Sequence, residues 1–281
     1  MRFPKPDEIR FSLTDFREHM PQTMKSRNNV IETLVNHLSP ISLEEMAGVR
    51  LMNRTDKKFL TNKDTLARLL EMAQGSYYSQ ETSSGRIAAY RTVYWDVPEK
   101  HEMFRTHICG HRPRTKVRVR TYLDSNDTFL EVKKKNNHDK TKKKRVPVPS
   151  IEAVMETGVG EEFLRERTGY SFSQLVPTVG NRFRRITLVN NAHTERLTID
   201  FDLQFHNYET GIDAAMDNIV IIELKRDGRV PSPVLAMLRE LRIKPAGFSK
   251  YCIGTAITHP EIRQNKLKLR LRKINKITSK T

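Results

Sequence analysis

The segment that most constrains this fold runs from Arg114 to Lys135, RTKVRVRTYLDSNDTFLEVKKK. Side chains of a strand alternate between its two faces, so a period of two assigns each residue to a face. Arg114, Lys116, Arg118, Arg120 and Tyr122 share one face, and Val117, Val119 and Leu123 the other. Beyond a turn cluster, Asp124-Ser125-Asn126-Asp127, the residues Phe129, Glu131, Lys133 and Lys135 share a face opposite Leu130 and Val132. The two stretches read as a β-hairpin. A loop of either two or four residues sets Arg120 across from Glu131, Arg118 across from Lys133 and Lys116 across from Lys135. Like charges directly opposite each other destabilise a sheet. Two such pairs in succession need either a multiply charged anion on that face, or solvent around an edge hairpin whose lysines guard it against aggregation. The hairpin alone leaves both open.

Net charge narrows the partner. Of the formal +17, the span 112–145 holds 13 Lys/Arg against 4 Asp/Glu, a net of +9, and the span 261–281 holds 8 against 1, a net of +7. Charge concentrated in two segments points to a polyanion: nucleic acid, polyphosphate, a nucleotide or an anionic membrane surface. No apolar run approaches the roughly 20 residues that cross a bilayer, and MRFPKPDEIRF carries no apolar signal-peptide core. A cytoplasmic location is therefore expected. Cys109 and Cys252 have no CxxC partner and read as packing residues.

Along the chain, residues 1–41 read as an N-terminal extension with turn-forming prolines around a helix near Asn28 to Leu38. Ser42-Leu43-Glu44-Glu45 is a capping box. In RTDKKFL, Arg54, Asp56 and Lys58 share a strand face. Asn62 caps a helix with Leu66, Leu69, Leu70 and Ala73 at helical spacing. IAAYRTVYWDV reads as a strand whose Trp95 and tyrosines fit the core better than a base-stacking platform, since no Arg/Gly-rich pattern surrounds them, and a short helix near Lys100 to His107 follows it. His101, His107 and His111 make no metal-site spacing with a nearby Cys or carboxylate. A helix is expected from about Ser150 to Arg167, then a strand pair, NRFRRITLVN and ERLTIDFDLQF, whose second member places Arg196, Thr198, Asp200 and Asp202 on one polar face. NIVIIELKR is an apolar strand carrying Glu223 and Lys225 on one face, either a structural ion pair or part of a site. Ser232-Pro233 starts a helix, and Gly247-Phe248-Ser249-Lys250-Tyr251 is expected to open a last strand. Residues 259–281 form a basic tail, helix or short strand.

Strands with one charged and one apolar face, few of them separated by long helices, argue for an antiparallel sheet in an α+β fold. If the charged faces share a concave side, the sheet closes as a tunnel of about eight strands with a polar basic lumen, wrapped by helices. That lumen would gather Arg54, Lys58, Arg118, Arg120, Lys133, Arg196 and Lys225 around Glu131 and Glu223. A chain of phosphates, with a divalent metal at the carboxylates, would balance it.

The ordered series RTDKKF, YRTVYWD, KVRVRTY, FLEVKKK, ERLTID, IELK and FSKY resembles the VTC (vacuolar transporter chaperone) domain, the polyphosphate-polymerase branch of the CYTH-like triphosphate tunnel enzymes. The likeness spans roughly Leu51 to Gly254, within a domain bounded at 42–258. It implies a closed β-tunnel that transfers the γ-phosphoryl of ATP to polyphosphate with Mn2+ or Mg2+. Matched onto the motifs, the implied catalytic residues are Lys58, Arg118, Arg120, Lys133, Arg196 and Lys250. Arg54, Arg145, Arg185, Lys225 and Ser249 would bind phosphate, with Arg185 chosen over Arg184, and Glu223 and Glu131 would hold the metal. Arg54-x-Asp56-x-Lys58 departs from the ExExK of hydrolytic CYTH members, exchanging a metal carboxylate for a phosphate-binding cation, which favours polymerase over triphosphatase. No SPX-like sensor and no transmembrane segment are read in the sequence, so a membrane-protein partner stays open, and no specific nucleic-acid partner is expected. An inorganic triphosphatase and a non-enzymatic polyanion or nucleic-acid binder remain the alternatives.

Overall fold

The computed structural model describes residues 22–47, 54–138, 140–228 and 230–279. In chain order the elements are α1 (Gln22–His37), β1 (Ser39–Ile41), α2 (Leu43–Ala47), β2 (Arg54–Thr61), α3 (Lys63–Ala73), β3 (Tyr77–Gln80), β4 (Ala88–Asp96) and α4 (Glu102–Cys109). The hairpin follows as β5 (Arg114–Tyr122) and β6 (Asp127–Lys135), extended by β7 (Thr141–Val148). Then come α5 (Ile151–Thr157), α6 (Glu161–Thr168), β8 (Val176–Asn190), β9 (Glu195–Asn207), β10 (Asp213–Met216), β11 (Val220–Asp227), α7 (Pro233–Glu240), α8 (Lys250–Thr258) and α9 (Lys268–Thr278).

The sheet is an eight-strand antiparallel path, β2-β11-β9-β8-β4-β5-β6-β7, with β3, β10 and the parallel-paired β1 attached beside it. Its outer face is apolar. Phe59, Leu197, Ile199, Ile222 and Leu224 pack with Leu66, Leu69 and Leu70 of α3. Val117, Val119, Leu130 and Val132 cluster with Ile151, Val154 and Leu164 of α5 and α6. Each such side chain, fully buried, contributes about 1.5–3 kcal/mol, which is why the strand alternation survives folding. α1 joins this body through Ile31 and Val35, and α9 through Ile274. Among the described residues no helix is long and apolar enough to cross a membrane.

Local signals hold where chemistry is local. Asn62 accepts from the Thr65 amide at 2.9 Å, and Ser42 and Glu45 exchange the two capping-box bonds. Three expectations are corrected. The hairpin pairs Arg118 with Glu131 and Lys116 with Lys133, two residues away from the expected register. A slip of two leaves every side chain on its face, so the faces stand while the partners change. The helix expected from Ser150 to Arg167 is broken into α5 and α6 at Gly158 and Gly160, both at positive φ. A Cβ on Gly160 would come within 2.8 Å of Leu130. Finally, Ser249-Lys250-Tyr251 opens no strand: Ser249 is the N-cap of α8 and accepts from the Cys252 amide at 3.3 Å. α8 is buried almost throughout and lies so close to β8 and β9 that a Cβ on Gly254 would stand 2.5 Å from the Phe205 ring.

Candidate functional site

The two ends of the strand path face one another. Lys58 of β2 and Thr141 of β7, at opposite ends, line the same cavity of about 570 Å³, together with Lys116 of β5 and Lys133 of β6. No ladder joins β2 to β7 among the described residues. The side of β2 away from β11 is instead followed by the segment at Pro245: Ala246 donates to the Lys58 carbonyl at 2.8 Å, and Lys58 Nζ donates to the Phe248 carbonyl at 3.2 Å. This segment leads into α8, whose Ser249 and Cys252 also line the cavity, with Arg270 of α9.

The walls are cationic because the polar faces of β2, β4, β5, β6, β8, β9 and β11 turn inward. Lys116 Nζ lies 5.2 Å from the centre of the Tyr251 ring and 5.7 Å from that of Tyr94, and donates to Ser249 Oγ at 3.3 Å. Arg118 donates from Nε to Glu131 at 2.6 Å. Arg120 Nε bonds Thr92 Oγ1 at 3.1 Å beneath the Tyr90 and Phe183 rings. Arg185 clamps Asp200 with Nε at 2.5 Å and its terminal nitrogen at 2.8 Å, a bidentate pair of the strong kind, and Lys250 shares that carboxylate. Arg184, one residue earlier, turns to the other side of the sheet and bonds Asp202 at 2.7 Å.

Glu131, Asp200 and Glu223 supply negative charge on this side, with Asp56 of β2 opposite Lys225. Glu131 is held by Arg118 and by Lys143. Burial would raise its pKa, but Arg118, Arg120 and Lys143 outweigh burial and bring it to about 2. Asp200 is lowered in the same way, burial opposing and Arg185 and Lys250 prevailing. Glu223 is the loosest, with Lys58 at 3.9 Å and Lys225 at 3.7 Å. The cations record the imbalance. Burial, then the neighbouring Lys116 and Lys58, push Lys133 down to about 8. Burial, with Arg185 adding repulsion and Asp200 opposing, pushes Lys250 to about 8. Tyr94 reports the same field: burial raises its phenol, yet Arg118 and Lys116 bring it down to about 8.

The other residues singled out in the sequence are spread around this face. Arg196 stands opposite Lys225 in the β9–β11 ladder. Arg145 stands opposite Glu131, exposed, its guanidinium 4.2 Å from the centre of the Phe129 ring. Arg54 begins β2 opposite Asp227, and its side chain lies outside the described residues.

A family model described as the VTC domain matches residues 53–259. The chain belongs to the VTC domain family. Among curated proteins none matches. Solved structures that resemble this VTC domain include a candidate adenylyl cyclase from Hippeastrum described as having a dominant triphosphatase activity. It is 13% identical over 74% of this chain and 97% of that one, with a TM-score of 0.46. A candidate adenylate cyclase from Bacillus halodurans is 14% identical over 70% of this chain and 96% of that one, at 0.44. The S. pombe RNA triphosphatase Pct1 is 8% identical over 95% and 97%, at 0.28.

Several residues of the VTC domain's cationic face were not singled out from the sequence. Lys143 lies in β7 opposite Lys133 and reaches Glu131. Asp200 was read only as part of a polar strand face, and its role as counter-ion to Arg185 and Lys250 depends on α8 and β8 meeting it. Lys116 was placed on the right face but given no role. Arg270, in the basic tail, also reaches the cavity.

Asp202 was placed on the polar face with Asp200, and the structure corrects this. A β-bulge between Arg182 and Arg184, with Asp202 at φ 52°, turns it outward to Arg184 and Lys63. An extra residue in one strand re-aims a side chain in just this way.

Proposed function

We propose that this VTC domain is a polyphosphate polymerase that moves the γ-phosphoryl group of ATP onto a growing polyphosphate chain. The observation that carries the reading is the convergence of Lys58, from one end of the strand path, with the paired Lys116 and Lys133 of β5 and β6 around one cavity. Like charges held face to face destabilise the empty protein unless a polyanion occupies the space. A phosphate chain brings one negative charge or more per unit and fits a lumen lined by lysine and arginine better than a single small anion does.

In this reading Arg118, Arg120, Arg185 and Arg196 grip non-bridging oxygens, where planar guanidinium forks match phosphate geometry. Lys58, Lys133, Lys225 and Lys250 neutralise the charge that spreads over the transferring group. Ser249 and Lys250 stand together at the start of α8, a place suited to an anionic oxygen, with Arg54 and Arg145 toward the periphery. An oxygen of the polymer's terminal phosphate forms the new bond to the γ-phosphorus as the bond from that phosphorus to the β,γ-bridging oxygen breaks, and ADP leaves with the electron pair. The attacking phosphate is already ionised near neutral pH, so no general base is needed.

Mn2+ or Mg2+, when bound, would polarise the β- and γ-oxygens. Glu223 fits such an ion: its cationic neighbours stand at 3.7–3.9 Å and its side chain is 25% exposed, and magnesium takes few protein carboxylates beside phosphate oxygens. Glu131 fits less well, since Arg118 and Lys143 occupy its two oxygens.

The test is incubation of the purified protein with ATP and Mn2+. An acid-labile polymer that a polyphosphatase digests supports the proposal. Release of free phosphate or pyrophosphate without polymer assigns the chain to triphosphate hydrolysis instead.

A further inference from the structure

Three segments distant in sequence meet at the C-terminal end of α8. His101 precedes α4, Glu209 lies in the turn between β9 and β10, and His259 follows Thr258. Their ligand atoms lie within 4.8 Å of one another, and among the described residues no other group of three or more His, Cys, Asp or Glu converges in this way. Glu209 Oε2 is 3.5 Å from His101 Nε2 and 3.6 Å from His259 Nε2. These gaps are too long for good hydrogen bonds. They match the edge of a tetrahedron, roughly 3.4 Å, whose centre lies about 2.1 Å from each corner, the bond length zinc takes to imidazole nitrogen and carboxylate oxygen.

The surroundings hold the three groups in place. His101 sits at φ 44°, ψ 46° without a side-chain capping bond, a left-handed conformation that a non-glycine residue keeps only where its surroundings enforce it. Asn207 Oδ1 accepts from the amides of Glu209 at 2.9 Å and Thr210 at 3.0 Å, and Asn207 Nδ2 donates to Thr258 Oγ1 at 3.2 Å. The Thr210 hydroxyl donates to the Thr258 carbonyl at 2.7 Å, so the glutamate turn is fastened to the end of α8 before any ion arrives. Both imidazoles are only 12% exposed. His259 Nδ1 is buried without a hydrogen-bond partner among the described residues, and its Nε2 stands 3.6 Å from Glu209 Oε2. A metal on the Glu209 side would engage Nε2 and leave the ring proton on Nδ1.

We propose that His101, Glu209 and His259 form a binding site for a divalent transition metal of the zinc type, with the fourth position open to water. Two imidazoles and one carboxylate suit zinc or cobalt and not magnesium, which favours oxygen alone. The ion would tie α4 and the β9–β10 turn to α8, the helix whose first residues reach the cationic cavity nine residues earlier. This site is separate from any cation at Glu223, which has only oxygen to offer.

The test uses the full chain carrying Glu223→Gln, stripped of metal, so that a cation in the lumen cannot be mistaken for this one. Co2+ is titrated and followed by its visible absorption, then displaced by Zn2+ with the melting temperature recorded. One equivalent of Co2+ should bind with the absorption of a four- or five-coordinate N/O site, Zn2+ should replace it and raise the melting temperature, and excess Mg2+ should do neither. His259→Asn and, separately, Glu209→Gln should each weaken binding at least tenfold, whereas His206→Asn should not. Because Glu209 is 39% exposed, its variant is informative even if His259→Asn folds poorly. Absence of saturable binding, or unchanged affinity and stoichiometry in Glu209→Gln, would overturn the site.

Discussion

Asp200 and Asp202 stand two residues apart on one strand, each binds two cations, and their surroundings differ in charge balance. Asp202, turned outward by the bulge, meets Lys63 and Arg184, with Asp217 adding a second negative charge near Lys63. Lys63 and Asp202 have fully buried side chains, and two cations against two carboxylates leave that cluster neutral. Asp200, facing the lumen, meets Arg185 and Lys250, and beyond them lie Lys58, Lys116, Arg118, Arg120, Lys133 and Lys225, against the carboxylates Asp56, Glu131 and Glu223 among the described residues. Balanced charge around the fully buried Lys63–Asp202 pair serves the fold; unbalanced charge around an open cavity is matched to something that enters it.

The largest effect expected from breaking this contrast is on the buried side. Asp202→Asn strands Lys63 and Arg184 without their main counter-ion and should lower stability by about 3–5 kcal/mol, read by urea unfolding. Next is the lumen: Arg118→Ala with Arg120→Ala should cut polymer synthesis by roughly 10²–10³, yet leave the melting temperature of the ligand-free protein unchanged or raised, because repulsion is relieved. A large stability loss there would make these arginines part of the scaffold and erase the contrast. Glu223→Gln should raise the Mn2+ concentration needed for half-maximal activity by about tenfold or more, while triphosphate still protects the protein from heat.

A smaller effect sharpens the comparison through pH. Burial pushes Lys250 down to about 8 in the folded protein, from the ordinary lysine value of 10.5. Between those values the unfolded chain binds more protons than the folded one, so ligand-free stability should rise with pH through that window. A bound phosphate chain favours charged lysine, so its protective effect should shrink over the same window. Melting curves with and without tripolyphosphate should therefore converge from pH 8 to pH 10, and curves that stay parallel would mean that lysine charge in the lumen is not what the anion reads.

How much of this was legible in the sequence follows from the range of each cause. Strand faces and helix caps depend on neighbours a few residues apart, so the charged faces of β2, β5, β6 and β11 could be assigned directly. The hairpin register could not, because a two-residue slip preserves every face and only the turn decides between them. Nor could the outward turn of Asp202, since alternation carries no signal for a bulge. Ser249 looked like a strand residue until the burial of Tyr251, Cys252 and Ile253 around a helix became visible. Lys143 and Arg270 gain their places only when the far end of the sheet and α9 close on the cavity. His101 showed no metal spacing in the sequence because its companions, Glu209 and His259, come from other parts of the chain.

The central claim is that the lumen's unbalanced charge is matched to a phosphate chain and not to nucleic acid. The direct measurement is thermal protection of the folded protein by tripolyphosphate or polyphosphate at about 0.15 M salt, compared with single-stranded and duplex nucleic acid. The protein used should carry Lys268→Gln, Arg272→Gln and Lys276→Gln, which remove exposed basic charge from α9 while sparing its buried Ile274. The account predicts that polyphosphate still raises the melting temperature by several degrees and that nucleic acid, deprived of its exposed contacts and weakened by salt, does not. Tighter binding of nucleic acid than of triphosphate by this variant would contradict it.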